Sequence, residues 1–537
     1  MKIALPRRRL LALAACASLL AAAPARAATP PDQLVIGFSM NNLLSLDPAN
    51  ATGLDVAEIA ANIYDALVVL DPQNPQQVQP GLAERWQIAP DGRSLRFTLR
   101  QGAKFHSGQP VTAEDAAWSL QRVLKLNLAL ATTWKSYGYT RDNVEKLIRA
   151  EDPQTLVIEF AEPTDPRMVL YTLATSVSAV VLDRKTVLAN EKAGDLGAAW
   201  LINHAAGSGP FKLDEWRAKE VLLASRFDEH WRGPAKMRRI VWRHMTESQS
   251  MRLMLDRGDL DVATGMAPPD IEALKSNPKV QVQAVQRGTL YYVAASTKDP
   301  RFADRRVRLA LRHLIDYEGL NRTVMPHYGV LHQRPVPIGL AATLPGPGYR
   351  LDVAQARKLL AEAGYPQGFK TTIRAVGEPP FTHIATNLQA TLAQAGIEAS
   401  IVTGTGNLVY GAMRDRKFEI IVGRGGGGME PHPHSSLRSL AYNPDNSDAA
   451  KLTNFQGWRT GFQSTALNEL IDGALLEKNE ARQLKMYQDA QRLYEQEVAA
   501  IQPISQMVET VLLRSDVKGY VGHPSATTRL HGVSKQR

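Results

Sequence analysis

Residues 80–115, PGLAERWQIAPDGRSLRFTLRQGAKFHSGQPVTAED, leave the chain little choice of local structure. Their middle, Ser94-Leu95-Arg96-Phe97-Thr98-Leu99-Arg100, alternates apolar and polar residues with the period of two of a half-buried strand. Pro90-Asp91-Gly92 stands before it and supplies a fixed φ, a side chain able to bond its own backbone and a residue free to take positive φ. That turn makes residues 86–88 the partner strand of a hairpin. After the strand, Gly102, Gly108 and Pro110 mark an ordered loop. Thr112, followed by Glu114 and Asp115, reads as an N-cap with acids at the positive end of a helix dipole. The unit is a strand, turn, strand, loop and capped helix, and it carries no catalytic group of its own.

Read as one sentence of residues, the stretch is far more specific. The order Pro80-Gly81-Leu82-Ala83-Glu84-Arg85-Trp86, then Asp91-Gly92, then Arg100-x-Gly102-x-Lys104-Phe105-His106-x-Gly108-x-Pro110-x-Thr112-Ala113-x-Asp115, resembles the signature of the family 5 bacterial solute-binding proteins. These are the dipeptide-, oligopeptide- and nickel-binding receptors of ABC importers. The resemblance implies an α/β, two-lobed periplasmic binding protein of type II, cluster C-like, with an extra subdomain in the first lobe.

The first residues form a targeting device. Lys2 and Arg7 to Arg9 make a basic n-region, residues 10–23 an apolar h-region, and Ala25-Arg26-Ala27 a cleavage site, so residues 1–27 read as a signal peptide and the destination as the periplasm. The apolar run is too short for a spanning helix. Leu13-Ala14-Ala15-Cys16 also has the shape of a lipobox, and the arginines permit a twin-arginine signal. Cleavage removes five basic residues and no acid, taking the formal charge from +10 to +5. What remains has no clustered basic stripe, which argues against a nucleic-acid partner. It also has no cysteine, because Cys16 is the only one, and so no disulfide, thiolate metal site or cysteine nucleophile. About 510 residues divide into two or three domains.

The mature chain opens with a strand, Leu34-Val35-Ile36-Gly37-Phe38, ending at the polar loop Ser39-Met40-Asn41-Asn42. Loops at strand ends are where open α/β sheets bind ligands. In the family implied by the resemblance this loop faces the cleft, which makes Asn41 and Asn42 candidate contacts; local turn hydrogen bonds are the other reading. In Trp134-Lys135-Ser136-Tyr137-Gly138-Tyr139, Trp134 and Tyr137 are candidates to wall a ligand, against a plain packing role. Gly207-Ser208-Gly209 resembles the turn where the chain re-enters the first lobe, and the strand expected after it excludes a phosphate cradle. Next come a strand at 240–242, a helix from 246 to 255 capped by Thr246, a short strand at 260–263, and two strands at 280–285 and 290–294.

Here the resemblance implies the crossing into the second lobe. Asp304-Arg305-Arg306-Val307-Arg308-Leu309-Ala310-Leu311, leading to Ile315-Asp316, matches the family's second long signature, with Ser296 where Asn is usual. Arg306, Arg308 and Asp316 read as the salt-bridged start of a buried helix. The lobes expected are 28–285, with the subdomain at about 70–190, and 286–500, with 501–537 returning to the first.

The most informative loop is Gly423-Arg424-Gly425-Gly426-Gly427-Gly428-Met429-Glu430-Pro431-His432-Pro433-His434, entered from an apolar strand. Glycines let another backbone or a ligand come close. In peptide-binding relatives this loop reaches the ligand. It carries Trp after the first Gly, an Asp that pairs with the peptide's α-amine, and then Asp-Pro. Here the Trp position is Arg424, the Asp position falls on Gly427, and Asp-Pro is Glu430-Pro431. Arg424 points to an anionic group on the ligand; Glu430 could restore amine binding if the loop shifts. Gly425, Gly426 and Gly427 complete the candidate site. His432 and His434 are expected to be solvated loop residues, since two His around one Pro rarely chelate one ion.

The function expected is that of the periplasmic component of an ABC importer. It would bind a small molecule or short peptide between its lobes and deliver it to permease subunits in the inner membrane, as a monomer without a cofactor. An organic acid, another anionic solute, or a metal or haem complex is the alternative ligand. A hydrolase lacks its G-x-S-x-G elbow.

Overall fold

The computed structural model describes residues 29–51, 53–426 and 429–536. The signal-peptide reading, Cys16 and Gly427 lie outside the described residues. No described helix is long and apolar enough to cross a membrane.

One eleven-stranded sheet runs through the molecule, with two long antiparallel strands at its middle, Val280–Ala295 and Ile501–Arg514. On one side of this pair lie Val262–Thr264, Gln33–Phe38 and Arg239–His244, mutually parallel, followed by the antiparallel strands Val221–Arg226 and Phe211–Arg217. On the other side lie Ile420–Gly425, Lys370–Val376 and Glu398–Gly404, again parallel to one another. Each half is thus an open α/β layer with its own helices, and the halves share only the central pair and its short neighbour Gly329–Leu331. Separate apolar cores follow. One is built on Leu34, Ile36, Ile240 and Trp242, the other on Tyr292, Val293, Ile373 and Val422.

A third core, reaching from Ala49 to Val181, belongs to the unit announced by residues 80–115. Ala83–Ile88, Ser94–Leu99, Thr155–Glu159 and Ile148–Asp152 form a four-stranded antiparallel sheet. The alternation is obeyed: Leu95, Phe97 and Leu99 are buried, while Arg96 between them is exposed. Gly92 takes φ +74° in the turn. Helix Ala113–Leu126 covers the sheet and begins with a capping box, in which the Asp115 amide donates to the Thr112 hydroxyl and the Thr112 amide donates to Asp115 Oδ2, at 3.3 and 3.0 Å.

Two expectations need correction. The strands expected at 280–285 and 290–294 are one strand of 16 residues, with a register irregularity between Gln286 and Leu290. Gly288 there accommodates a bulge instead of ending the strand, so the expected lobe boundary at 285/286 falls inside an unbroken element. The helix expected to be capped by Thr246 is Ser248–Arg257, with Glu247 at its N-cap and no side-chain cap. Ser248 Oγ is occupied elsewhere, accepting from the Ala267 amide and donating to Asp270.

Candidate ligand-binding site

The loop after strand Ile420–Gly425 is held by side chains of its own lobe. A Cβ on Gly425 would lie 2.5 Å from Gln456 Nε2, and one on Gly426, where φ is +81°, would lie 2.5 Å from Leu440 Cγ. Gly425 and Gly426 therefore leave room for side chains of neighbouring helices. Beyond them, Pro433 occupies the first turn of helix Pro433–Ala441, and His432 Nδ1 accepts from the His434 amide at its N-cap.

His432 and His434 are buried, contrary to the expectation of solvated loop residues. Tyr487 stands against both rings, with centroids 5.5 and 6.2 Å away, and Tyr171 of the subdomain lies 6.2 Å from His432. Burial is the leading cause that lowers the pKa of His432 to about 4 and that of His434 well below its ordinary value. Among the described residues no group of three or more His, Cys, Asp and Glu is placed to hold a metal ion.

From Glu430 onward this segment faces the subdomain across a cavity of about 260 Å³. Thr132, Ser136, Tyr137 and Met168 form the subdomain wall; Glu430, Ser435, Arg438 and Phe455 belong to the opposite wall. Tyr137 Oη lies 2.9 Å from Thr172 Oγ1, and its pKa is raised first by burial and then by the charge of Glu430. Glu430 Oε2 accepts from Ser435 Oγ at 2.9 Å. The Arg438 guanidinium carbon lies 5.3 Å from the Tyr442 ring and 5.4 Å from the Phe455 ring. Arg438 was not among the residues singled out in the sequence. Its legible signal is an Arg four residues before a Tyr, a spacing that puts both on one helix face.

The structure thus brings Tyr137 and Glu430 together and leaves other candidates outside this cavity. Trp134 is fully buried in the subdomain core, its Nε1 donating to Ser178 Oγ at 3.0 Å and its ring edge-on to Tyr139. Arg424 is exposed at the end of its strand, with its guanidinium carbon 5.9 Å from the Phe381 ring and its amide donating to Tyr410 Oη. Asn41 and Asn42 are exposed in a turn, where the Asn41 amide donates to Ser39 Oγ. At the strand ends of the first half, Phe38, Trp242, Thr264, Glu58, Arg287 and Glu509 line a space of only about 20 Å³, room for about one water.

The two lobes also touch away from the central strands. Ser525 Oγ donates to the Met429 carbonyl at 2.5 Å, Arg167 donates to Gln483 Oε1 at 2.6 Å, and Gln76 donates to the Gly339 carbonyl at 2.9 Å.

The buried imidazoles have a consequence for acid stability. Burial also brings the pKa of His106 and His523 to about 4. Between about pH 6.5 and pH 4 the unfolded chain binds protons that the folded one refuses. The stability these groups allow is fully present above about pH 6.5 and is lost as pH falls, by at most about 1.4 kcal/mol per pH unit for each histidine. Urea unfolding at pH 7.5 and pH 5 is expected to show this slope, and His432→Gln is expected to flatten it. An unchanged slope in the variant would remove His432 from the account.

Two α/β lobes joined by paired strands, each with parallel strand ends and loops turned toward a shared cleft, define a solute receptor of the periplasmic-binding class. The model of the bacterial extracellular solute-binding proteins, family 5 (Middle) matches residues 77–448, and the chain belongs to that family. Among curated relatives it is 26% identical over 519 residues to the probable D,D-dipeptide-binding periplasmic protein DdpA of Escherichia coli (strain K12), covering 93% of each chain. It is 26% identical to heme-binding protein A of Haemophilus influenzae, covering 93% of this chain and 90% of that one. Among solved structures, the dipeptide binding protein from Pseudoalteromonas sp. SM9913 in complex with Met-Leu superposes with a TM-score of 0.79 at 21% identity, over 94% of this chain and 100% of the other.

Proposed function

We propose that this chain is the periplasmic solute-binding component of an ABC importer. It takes a peptide-like small solute between its lobes, closes over it as a monomer and presents it unaltered to permease subunits in the inner membrane. The observation that carries this reading is the open cleft, of about 260 Å³, lined on one side by the subdomain and on the other by the second lobe. Within the sheet, the described strands of the two main halves are joined through the central pair. A hinge of that kind permits closure, and a ligand that touches both walls stabilises the shut form over the open one. The D,D-dipeptide-binding relative supports a peptide-like solute, and the heme-binding relative, at the same identity, supports a non-peptide one.

The test is small-angle scattering on protein stripped of bound solute by unfolding and refolding, before and after return of the extract released by unfolding, with chromatography of the recovered solute. A smaller radius of gyration and an unchanged solute are expected. A radius indifferent to the extract, or a solute converted into something new, would overturn the reading.

A further inference from the structure

Of the three interlobe hydrogen bonds described above, those of Arg167 and Gln76 start from the subdomain, while that of Ser525 ties the second lobe to the first lobe proper. Ser525 lies in a strap, residues 520–530, whose Tyr520, Ala526 and Leu530 belong to the first-lobe core. The strap is fastened along its length. Asn62, fully buried on helix Leu54–Ile63, donates to the Thr528 carbonyl at 2.8 Å and accepts from the Leu530 amide at 2.7 Å. Arg287, on the central strand Val280–Ala295, donates to the His523 carbonyl, and His523 Nδ1 accepts from the Ser525 amide at 3.1 Å. Ser525 itself is 5% exposed, and a hydroxyl on so constrained a backbone has little freedom left to lose when it bonds.

Met429 approaches from the other lobe. It follows the second-lobe strand Ile420–Gly425 and precedes helix Pro433–Ala441, yet its side chain is partly buried against the first-lobe core. One residue of the second lobe thus makes an apolar contact with the first through its side chain and a polar one through its carbonyl, which accepts from Ser525 Oγ at 2.5 Å. Among the described residues that line the cleft neither Met429 nor Ser525 is found, whereas Glu430, next in sequence, lines it.

We infer that Met429 is the peg by which the second lobe seats on the first, and that Ser525 is the positioning residue that holds it there. The inference rests on the receptor reading and names what stabilises the lobes against each other when they meet. An unbranched thioether fills an irregular apolar gap without demanding a fixed shape. The bond to the carbonyl then sets the depth and direction of the backbone, because a hydrogen bond is sensitive to both distance and angle. Seating Met429 also places Glu430 at the cleft wall, so the contact between lobes and the binding surface are set by adjacent residues.

The experiment is single-molecule fluorescence transfer on the full stripped chain, titrated with the extract released by unfolding. Dyes are attached at Asn203→Cys and Asn407→Cys, exposed positions beside strand ends of the first and second lobes, and the described residues contain no cysteine of their own. The dye-carrying parent is expected to move to higher transfer as extract is added. Ser525→Ala is expected to need about 2–10 times more extract to reach the half-way point. Met429→Ala is expected to need about 5–50 times more. In both, the urea midpoint of the stripped protein is expected to stay unchanged, and Ser525→Thr and Met429→Leu are expected to recover most of the loss. Alanine variants that respond like the parent, a threonine variant no better than alanine, or a lowered urea midpoint with an unaltered response would overturn the peg while the receptor reading stands. If the parent itself fails to respond, the receptor reading falls first and the peg falls with it.

Discussion

Replacing Arg122 with methionine is expected to lower the unfolding free energy by about 3–5 kcal/mol. Arg122 lies on helix Ala113–Leu126, its side chain 1% exposed, and its two terminal nitrogens donate to the two oxygens of Asp47 at 2.7 and 2.8 Å. Its Nε donates to the Leu196 carbonyl. Asp47 in turn accepts from the Ala49 amide, in the loop that follows the first strand of the sheet. The fork therefore joins that loop to the subdomain, and methionine would leave a carboxylate buried without its cation. Arg122→Lys keeps the charge but not the paired geometry, and should recover only part of the loss. Urea unfolding followed by tryptophan fluorescence measures both; a loss under about 1 kcal/mol for the methionine variant would show that the fork is energetically idle.

A comparable loss, about 3–5 kcal/mol, is expected for Asp261→Ala. The Lys535 ammonium lies 2.6 Å from Asp261 Oδ2, and neither side chain is exposed to solvent. Asp261 also accepts from Thr29 Oγ1 at 2.7 Å and from the Val35 amide at 2.8 Å, while Lys535 donates to Thr29 Oγ1 and to the Pro30 carbonyl. One carboxylate thus gathers residues from both ends of the chain onto the first lobe. The double variant Asp261→Leu with Lys535→Met, which removes both charges, should be more stable than Asp261→Ala alone, because no ammonium is then stranded. Equal stability of the two variants would show that the loss came from packing and from the Thr29 and Val35 bonds.

What the sequence disclosed was whatever is decided within a few residues. The hairpin at 83–99, the positive φ of Gly92 and the Thr112 cap follow from short-range rules, and the structure has all three. The fusion of 280–295 into one strand was hidden, because its partner, Ile501–Arg514, lies some two hundred residues away and Gly288 imitates a stop. His432 and His434 sit among prolines and glycines, which locally means loop; the rings that bury them come from Tyr171 and Tyr487. The same holds for the cavity. Glu430 and Tyr137 could be picked out singly, but only the fold sets them opposite each other, and only the fold shows that Arg438 stands with them while Arg424 does not.

The two long central strands run unbroken from one half of the molecule into the other. A ribbon bonded along its length bends readily out of plane, yet it resists stretching and sideways slip, since slip would break every rung at once. The receptor is bound like a book on a cloth spine. If the proposed closure occurs, its covers would swing without sliding past each other, and each closing would return Glu430 and Tyr137 to the same facing pages.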